Sequence, residues 1–231
     1  EREPLVLPEV VLPLGLEIGE VLVERLRVFE RGREAPVFAL ERAALAAALK
    51  GGELDLRRLE VDLPEPRLGA RASGRAELRD RYPLGLDLAW ELELPPGARL
   101  QGRGRLMGDL ERLRVEHQVS GSARVGLEAE VVEVLEDPSW KGLIRLEGLD
   151  LPHFAADAPP VELTGRIETR GDLQNATVNG TLGGKAPDLP DFGHLEASLD
   201  LGWQGRVLTL RTLDLRESVS GALLTLAGRL D

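Results

Sequence analysis

Leu84-Gly85-Leu86-Asp87-Leu88-Ala89-Trp90-Glu91-Leu92-Glu93-Leu94 is the stretch that decides the fold. Large apolar residues fill every even position, and small or acidic residues fill every odd one. In an extended chain, neighbouring side chains point to opposite sides. The pattern therefore makes a strand with one apolar face and one wet face. Wound as a helix, the same leucines would be scattered around the whole circumference. The rule extends outward from this stretch. Val115, His117 and Val119 lead into Ala123, Val125, Leu127, Ala129 and Val131. Val161, Leu163, Gly165 and Ile167 form another run, and Leu195, Ala197, Leu199, Leu201 and Trp203 a further one. Leu224, Leu226, Gly228 and Leu230 form the last. Turn chemistry marks Lys50-Gly51-Gly52, Pro95-Pro96-Gly97, Asp137-Pro138-Ser139, Asn179-Gly180, Gly183-Gly184 and Gln204-Gly205.

Two breaks in the alternation carry information. Leu54 and Leu56 give way to Leu59, Val61 and Leu63 across Arg57-Arg58, and Leu208 and Leu210 give way to Leu213 and Leu215 across Arg211-Thr212. A one-residue slip would turn the apolar set outward, so bulges are expected at both arginine-bearing steps. Ala39–Lys50 is rich in helix formers. Sliding the chain against itself favours strand there, because residues 43–75 match 197–229 at an offset of 154 and place Ala43–Leu49 on the strand-like Ala197–Trp203. A second match, at an offset of 63, joins residues 102–115 to 165–178 through Gly108-Asp109-Leu110 and Gly171-Asp172-Leu173. The expectation is an all-β, elongated, repetitive antiparallel sheet over residues 1–231, built of units that cover their apolar face by stacking on neighbours. The chain starts at Glu1 and stops at Asp231 inside a strand-like pattern, which reads as an internal piece of a longer protein.

Composition narrows the function classes. There are 46 leucines against four Phe, three Trp, one Tyr and one Met, so the apolar face has even thickness and few bulky plugs. The net charge of −11 speaks against nucleic acid and against electrostatic docking of the whole chain on an anionic membrane. The absence of cysteine excludes disulfides, zinc–thiolate sites and thiol catalysis. No stretch of the sequence is long and apolar enough to span a bilayer as a helix.

No catalytic constellation emerges, and the reading is of a protein that is not an enzyme and needs no cofactor. His117, His153 and His194 stand far apart, and His117 falls on an apolar strand face, where a satisfied histidine fits better than a metal ligand. Asp188 and Asp191, in a proline-rich loop, default to solvated carboxylates. Gly102-Arg103-Gly104-Arg105-Leu106-Met107-Gly108 has a phosphate-loop look, but its third glycine comes one position late and a strand follows. Asn175-Ala176-Thr177 and Asn179-Gly180-Thr181 fit a glycosylation sequon and are equally ordinary in a hairpin. The candidate site is the aliphatic face itself, carried by Leu54, Leu56, Leu84, Leu86, Leu88, Trp90, Leu92, Leu199, Leu201, Leu208 and Leu210. Alternation alone leaves open whether that face is a sandwich core or a groove open to an apolar ligand.

Several phrases resemble the TamB family, within the wider AsmA-like group. They are Leu12-Pro13-Leu14-Gly15-Leu16-Glu17-Ile18, Arg81-Tyr82-Pro83-Leu84-Gly85-Leu86-Asp87-Leu88, Gly108-Asp109-Leu110-Glu111-Arg112-Leu113-Arg114-Val115, Gly171-Asp172-Leu173, and Leu208–Leu215 followed by Leu226–Leu230. The resemblance implies a β-taco, a U-shaped sheet with an apolar interior. It also implies a periplasmic segment of a protein anchored in the inner membrane of a Gram-negative envelope. The implied ligands are phospholipid acyl chains, and the implied partner of the full-length protein is a TamA-like outer-membrane barrel. The implied roles are phospholipid transport between the two membranes and assembly of outer-membrane proteins. Two alternatives stand beside it: a β-augmentation scaffold without lipid conduction, and a plain structural sandwich or stalk.

Overall fold

The computed structural model describes residues 8–10, 13–33, 35–95, 97–154, 160–185, 193–205 and 207–230. Fourteen strands run in chain order: β1 (Leu16–Val28), β2 (Phe38–Lys50), β3 (Glu53–Leu63), β4 (Arg67–Glu77), β5 (Leu84–Leu94), β6 (Ala98–Gly108) and β7 (Arg112–Gly121). They continue with β8 (Ala123–Val132), β9 (Ser139–Asp150), β10 (Glu162–Asp172), β11 (Asn175–Lys185), β12 (Leu195–Gln204), β13 (Val207–Glu217) and β14 (Leu223–Leu230). The helical content of the described residues is one 3-10 turn, Leu151–His153. Ala39–Lys50, the segment with competing helix propensity, lies within β2. Strand pairing on both sides overrides its local preference.

All fourteen strands form one antiparallel sheet whose spatial order is the sequence order. Each hairpin pairs with the next, and β1 and β14 stay apart as open edges. This is the elongated antiparallel sheet expected from the alternation, and it is consistent with the groove that the family resemblance implies. At about 4.8 Å per strand, thirteen steps give a sheet roughly 62 Å long. The accessible surface is 15954 Å². A compact monomer of this mass would expose only about 10,000 Å². Substantial packing joins sequential strands alone, so no second sheet covers the apolar face among the described residues.

Both arginine-bearing phase slips are bulges. Ala46 pairs with Arg58 and Ala47 with Leu56, which leaves Arg57 as the extra residue. Asp200 pairs with Thr212 and Leu201 with Leu210, which leaves Arg211 extra. The bulge keeps Leu59 on the same face as Leu56 and turns the arginines to the other. There Arg57 Nη1 donates to Glu17 Oε1 at 2.7 Å, and Arg58 pairs with Glu20. Two further register shifts fall in β1, between Ile18 and Val21, and in β9 at Glu147-Gly148. The self-matching stretches occupy corresponding strands, β2–β4 and β12–β14, with a bulge in the middle strand of each.

Two turn expectations are corrected. Asn179-Gly180 and Gly183-Gly184 lie inside β11, and the β10–β11 turn is at Leu173-Gln174 instead. Asp172 builds that turn by accepting the backbone N–H groups of Gln174 and Asn175, both at 2.7 Å. The β11 glycines make room for neighbours: Gly180 faces Ile167 and Leu199, and Gly184 faces Leu163 and Leu195. Asp188 and Asp191 lie outside the described residues.

Candidate functional site

The register carries a side-chain row through all fourteen strands. It runs Val21, Leu45, Leu59, Ala72, Leu88, Gly104, His117, Leu127, Ile144, Ile167, Gly180, Leu199, Leu213 and Leu226, each the direct partner of the next. Parallel rows hold the other residues marked in the sequence. Leu54 and Leu84 flank Ala76, and Leu56 and Leu86 flank Gly74. Trp90 lies between Ala70 and Gly102, and Leu92 between Leu68 and Leu100. Leu201 pairs with Leu210, and Trp203 with Leu208. The pairing thus brings Leu54, Leu56, Leu84, Leu86, Leu88, Trp90, Leu92, Leu199, Leu201, Leu208 and Leu210 onto one continuous face. Ile144, on the same row, escapes a search for clean alternation. Its strand slips phase at Glu147, and the spacing Leu146-Glu147-Gly148-Leu149 is the signal that would have found it.

Large side chains on this face lie over small neighbours. Leu84, Leu88 and Trp90 of β5 sit between alanines of β4 and glycines of β6. The bulky groups can therefore fold flat and fill the surface without a covering layer. Leu40 is the one buried leucine among the described residues, and the leucines of β5 remain half-buried. The face is dense but open on one side.

Three tryptophans bring polar N–H groups into this surface, and two find partners within it. Trp140 Nε1 donates to Thr169 Oγ1 at 3.2 Å. Trp90 Nε1 donates to His117 Nε2 at 2.8 Å, reaching across β6. The ring centroids are 5.7 Å apart and the planes differ by 10°. With a hydrogen bond joining their edges, the rings lie side by side as a flat tile on Gly102 and Gly104. A Cβ at Gly102 would stand 2.1 Å from the Trp90 ring, and one at Gly104 would stand 2.2 Å from His117 Nδ1. Accepting at Nε2 leaves the proton of the neutral imidazole on Nδ1.

Burial holds the His117 pKa below the usual histidine value. Its neighbours on the face, Trp90, Gly102, Gly104 and Leu127, bring no charge to oppose that. The unfolded imidazole takes up a proton below about pH 6.5, and the folded one resists until lower pH. The stability from this pair is therefore complete above that pH and is lost as pH falls beneath it. The urea midpoint of the wild type is expected to drop between pH 7 and pH 5, and His117→Phe should show a smaller drop. That window lies above the range in which Glu217 titrates, held at about 2 by the Ser220 hydroxyl and the backbone N–H groups of Val219 and Ser220. Equal drops in the two proteins would refute the assignment.

The opposite face is a lattice of exposed charge. Arg105 pairs with Asp87 at 2.8 Å, Lys141 with Glu130 at 3.1 Å and Arg211 with Asp200 at 3.1 Å. Such exposed pairs contribute about 0–1 kcal/mol each. Their main effect is to keep this face wet and the sheet from stacking through it. Two clefts, of about 640 and 560 Å³, open between these charged chains rather than on the apolar face. No group of three or more His, Asp or Glu among the described residues is placed to hold a metal ion. No helix of the described chain is long and apolar enough to cross a membrane.

A family model described as "TamB, N-terminal domain" matches residues 2–137, more than half of the chain. No curated protein and no solved structure matches.

Proposed function

The chain belongs to the TamB family, and from that premise we propose that its open apolar face shelters phospholipid acyl chains in transit between the inner and outer membranes. One observation carries the reading: a row of aliphatic side chains and glycines, with His117 its one polar member, runs across fourteen strands with no second layer over it among the described residues. An acyl chain in water loses about 0.8 kcal/mol for every CH₂ left uncovered, so a conduit must offer apolar cover without gaps. The residues proposed to line it are the leucines of β3, β5, β12 and β13 named above, together with Trp90. In this reading the segment is a run of repeated hairpin units within a periplasmic protein anchored in the inner membrane. The complete protein would act with a TamA-like barrel and also support outer-membrane protein assembly.

Native mass spectrometry of protein purified without detergent is expected to show phospholipid-sized adducts that dissociate as intact lipid. A lipid-free spectrum from membrane-extracted protein would overturn the conduit reading. One feature favours the scaffold alternative: β1 and β14 each pair along one side only, leaving backbone groups for an incoming strand. That reading requires crosslinks from Leu22 or Leu226 to client strands rather than to lipid.

A further inference from the structure

The β1–β2 hairpin does not end with the sheet. β2 pairs with β3 only from Arg42 onward, so Phe38–Glu41 and their partners in β1 continue beyond the last β2–β3 pair. Four residues of strand cover about 14 Å; Leu40 among them is still buried, and the side chains stand open from Val28 and Phe38 into the turn. Val37 N–H donates to Val28 O at 2.8 Å and Arg33 N–H to Glu30 O at 3.0 Å, which ties the base of the tip and sets its first turn.

The polarity of the hairpin changes where it projects. Within the sheet, Val21, Val23, Ala43 and Leu45 lie on the groove face, and Leu22, Glu24, Arg42 and Ala44 on the other. Beyond the Glu24–Arg42 pair, Leu26, Val28, Phe38 and Leu40 fall on the outward side, while Arg27 pairs with Ala39 on the groove side. The projection therefore cannot extend the groove wall. Phe29 is 54% exposed and Val37 52%, and Val28 and Phe38 are almost as open. Between residues 25 and 38 the sequence carries Arg25, Arg27, Arg31 and Arg33 against Glu30 and Glu34, a local excess of positive charge in a chain of net charge −11. Arg33 pairs with Glu30 at 3.0 Å. Arg25, Arg27 and Arg31 have no ion pair among the described residues, whereas the arginines of the charged face are largely paired.

Exposed aromatic and aliphatic side chains set among unpaired guanidinium groups complement one kind of surface well. Apolar side chains enter the acyl boundary while the guanidinium groups hold phosphate. We propose that the β1–β2 tip is a hook that docks this end of the sheet on an anionic phospholipid surface, with Phe29, Val37 and Phe38 inserted and Arg27 and Arg31 on the headgroups. The hook does not depend on the groove carrying lipid, and the two ideas fail separately.

The chain has no cysteine, so a single introduced thiol reports its own position. An environment-sensitive dye on Phe29→Cys is expected to shift to the blue with vesicles of phosphatidylglycerol and phosphatidylethanolamine, and to stay unchanged with phosphatidylcholine vesicles. The same dye on Val219→Cys, 70% exposed in the β13–β14 turn at the far end of the sheet, should not shift. Arg27→Gln with Arg31→Gln should weaken co-sedimentation with the anionic vesicles on the order of tenfold. The proposal is overturned by an unchanged dye at position 29, by an equal shift at 219, or by full binding of the double variant. A blue shift that grows with protein concentration without vesicles would assign the tip to a second copy of the chain and overturn it as well.

Discussion

Leu88→Asp is expected to lose the bound lipid and to destabilise the middle of the sheet together. Leu88 lies on the apolar row between Ala72 of β4 and Gly104 of β6, and is half-buried with its open side towards the groove. Replacing it removes apolar cover and sets a carboxylate among Leu86, Trp90 and His117, where its neighbours on the face, Ala70, Ala72, Gly74, Gly102, Gly104 and Leu106, offer no cation to pair with it. Lost transfer energy and partial desolvation together cost about 2–4 kcal/mol. A carboxylate at that point also puts a charge in the middle of the apolar face that the lipid would cover, so the effect on lipid should exceed the effect on stability.

The neighbouring residue supplies the control. Ala89 is on the same strand but the other face, between Arg71 and Arg103. Ala89→Asp places the same charge beside two guanidinium groups and is expected to keep both stability and lipid. Native mass spectra and urea midpoints of the two variants decide the matter. If both variants keep lipid, the β5 leucines do not line the conduit. If both lose it, the loss reflects charge in the strand rather than the face it occupies.

How far the chain itself foretold this arrangement depends on which interaction is asked about. Alternation within one strand is local, so Leu84 to Leu94 sufficed for the strand, its two faces and the single-face ladder. The slips at Arg57 and Arg211 were legible because leucines stood on both sides of them. The slip at Glu147 has the same spacing, but Gly142, Gly148 and the mixed polarity around them blur the phase. The β11 glycines looked like turns because glycine serves both as a turn former and as space for a bulky cross-strand neighbour. Which role it plays is settled by register with Ile167 and Leu199, distant in the chain. The Trp90–His117 pair joins residues 27 apart across an intervening strand, and no local rule predicts it. The openness of the face depends on what is absent above it, and alternation is the same for a covered and an uncovered strand.

The second large effect is expected at Gly74, where backbone rather than side chains sets the limit. Gly74 has φ +146°, a region that L side chains rarely adopt, and it pairs with Leu56 beside the β3 bulge. The bulge makes Arg57 and Arg58 share Ser73 as their opposite, so β4 must twist at the next residue to regain register. A Cβ at Gly74 would stand 2.1 Å from the carbonyl oxygen of Gly85 and 2.8 Å from the Cα of Leu86. Both are backbone atoms of β5, so relief requires the strands to part. Strain and overpacking together put the cost of Gly74→Ala at about 3 kcal/mol. Gly228, its counterpart in the self-match, pairs with Leu210 on the edge strand β14 and has open space around it. Gly228→Ala is therefore expected to be nearly neutral. Hydrogen exchange should show β4 and β5 losing protection in Gly74→Ala while β10 to β12 keep theirs, because each strand is held by its immediate neighbours. Uniform loss of protection along the whole sheet would mean that it unfolds as a single cooperative unit. Unchanged protection in β4 and β5 would mean that the bulge does not constrain Gly74.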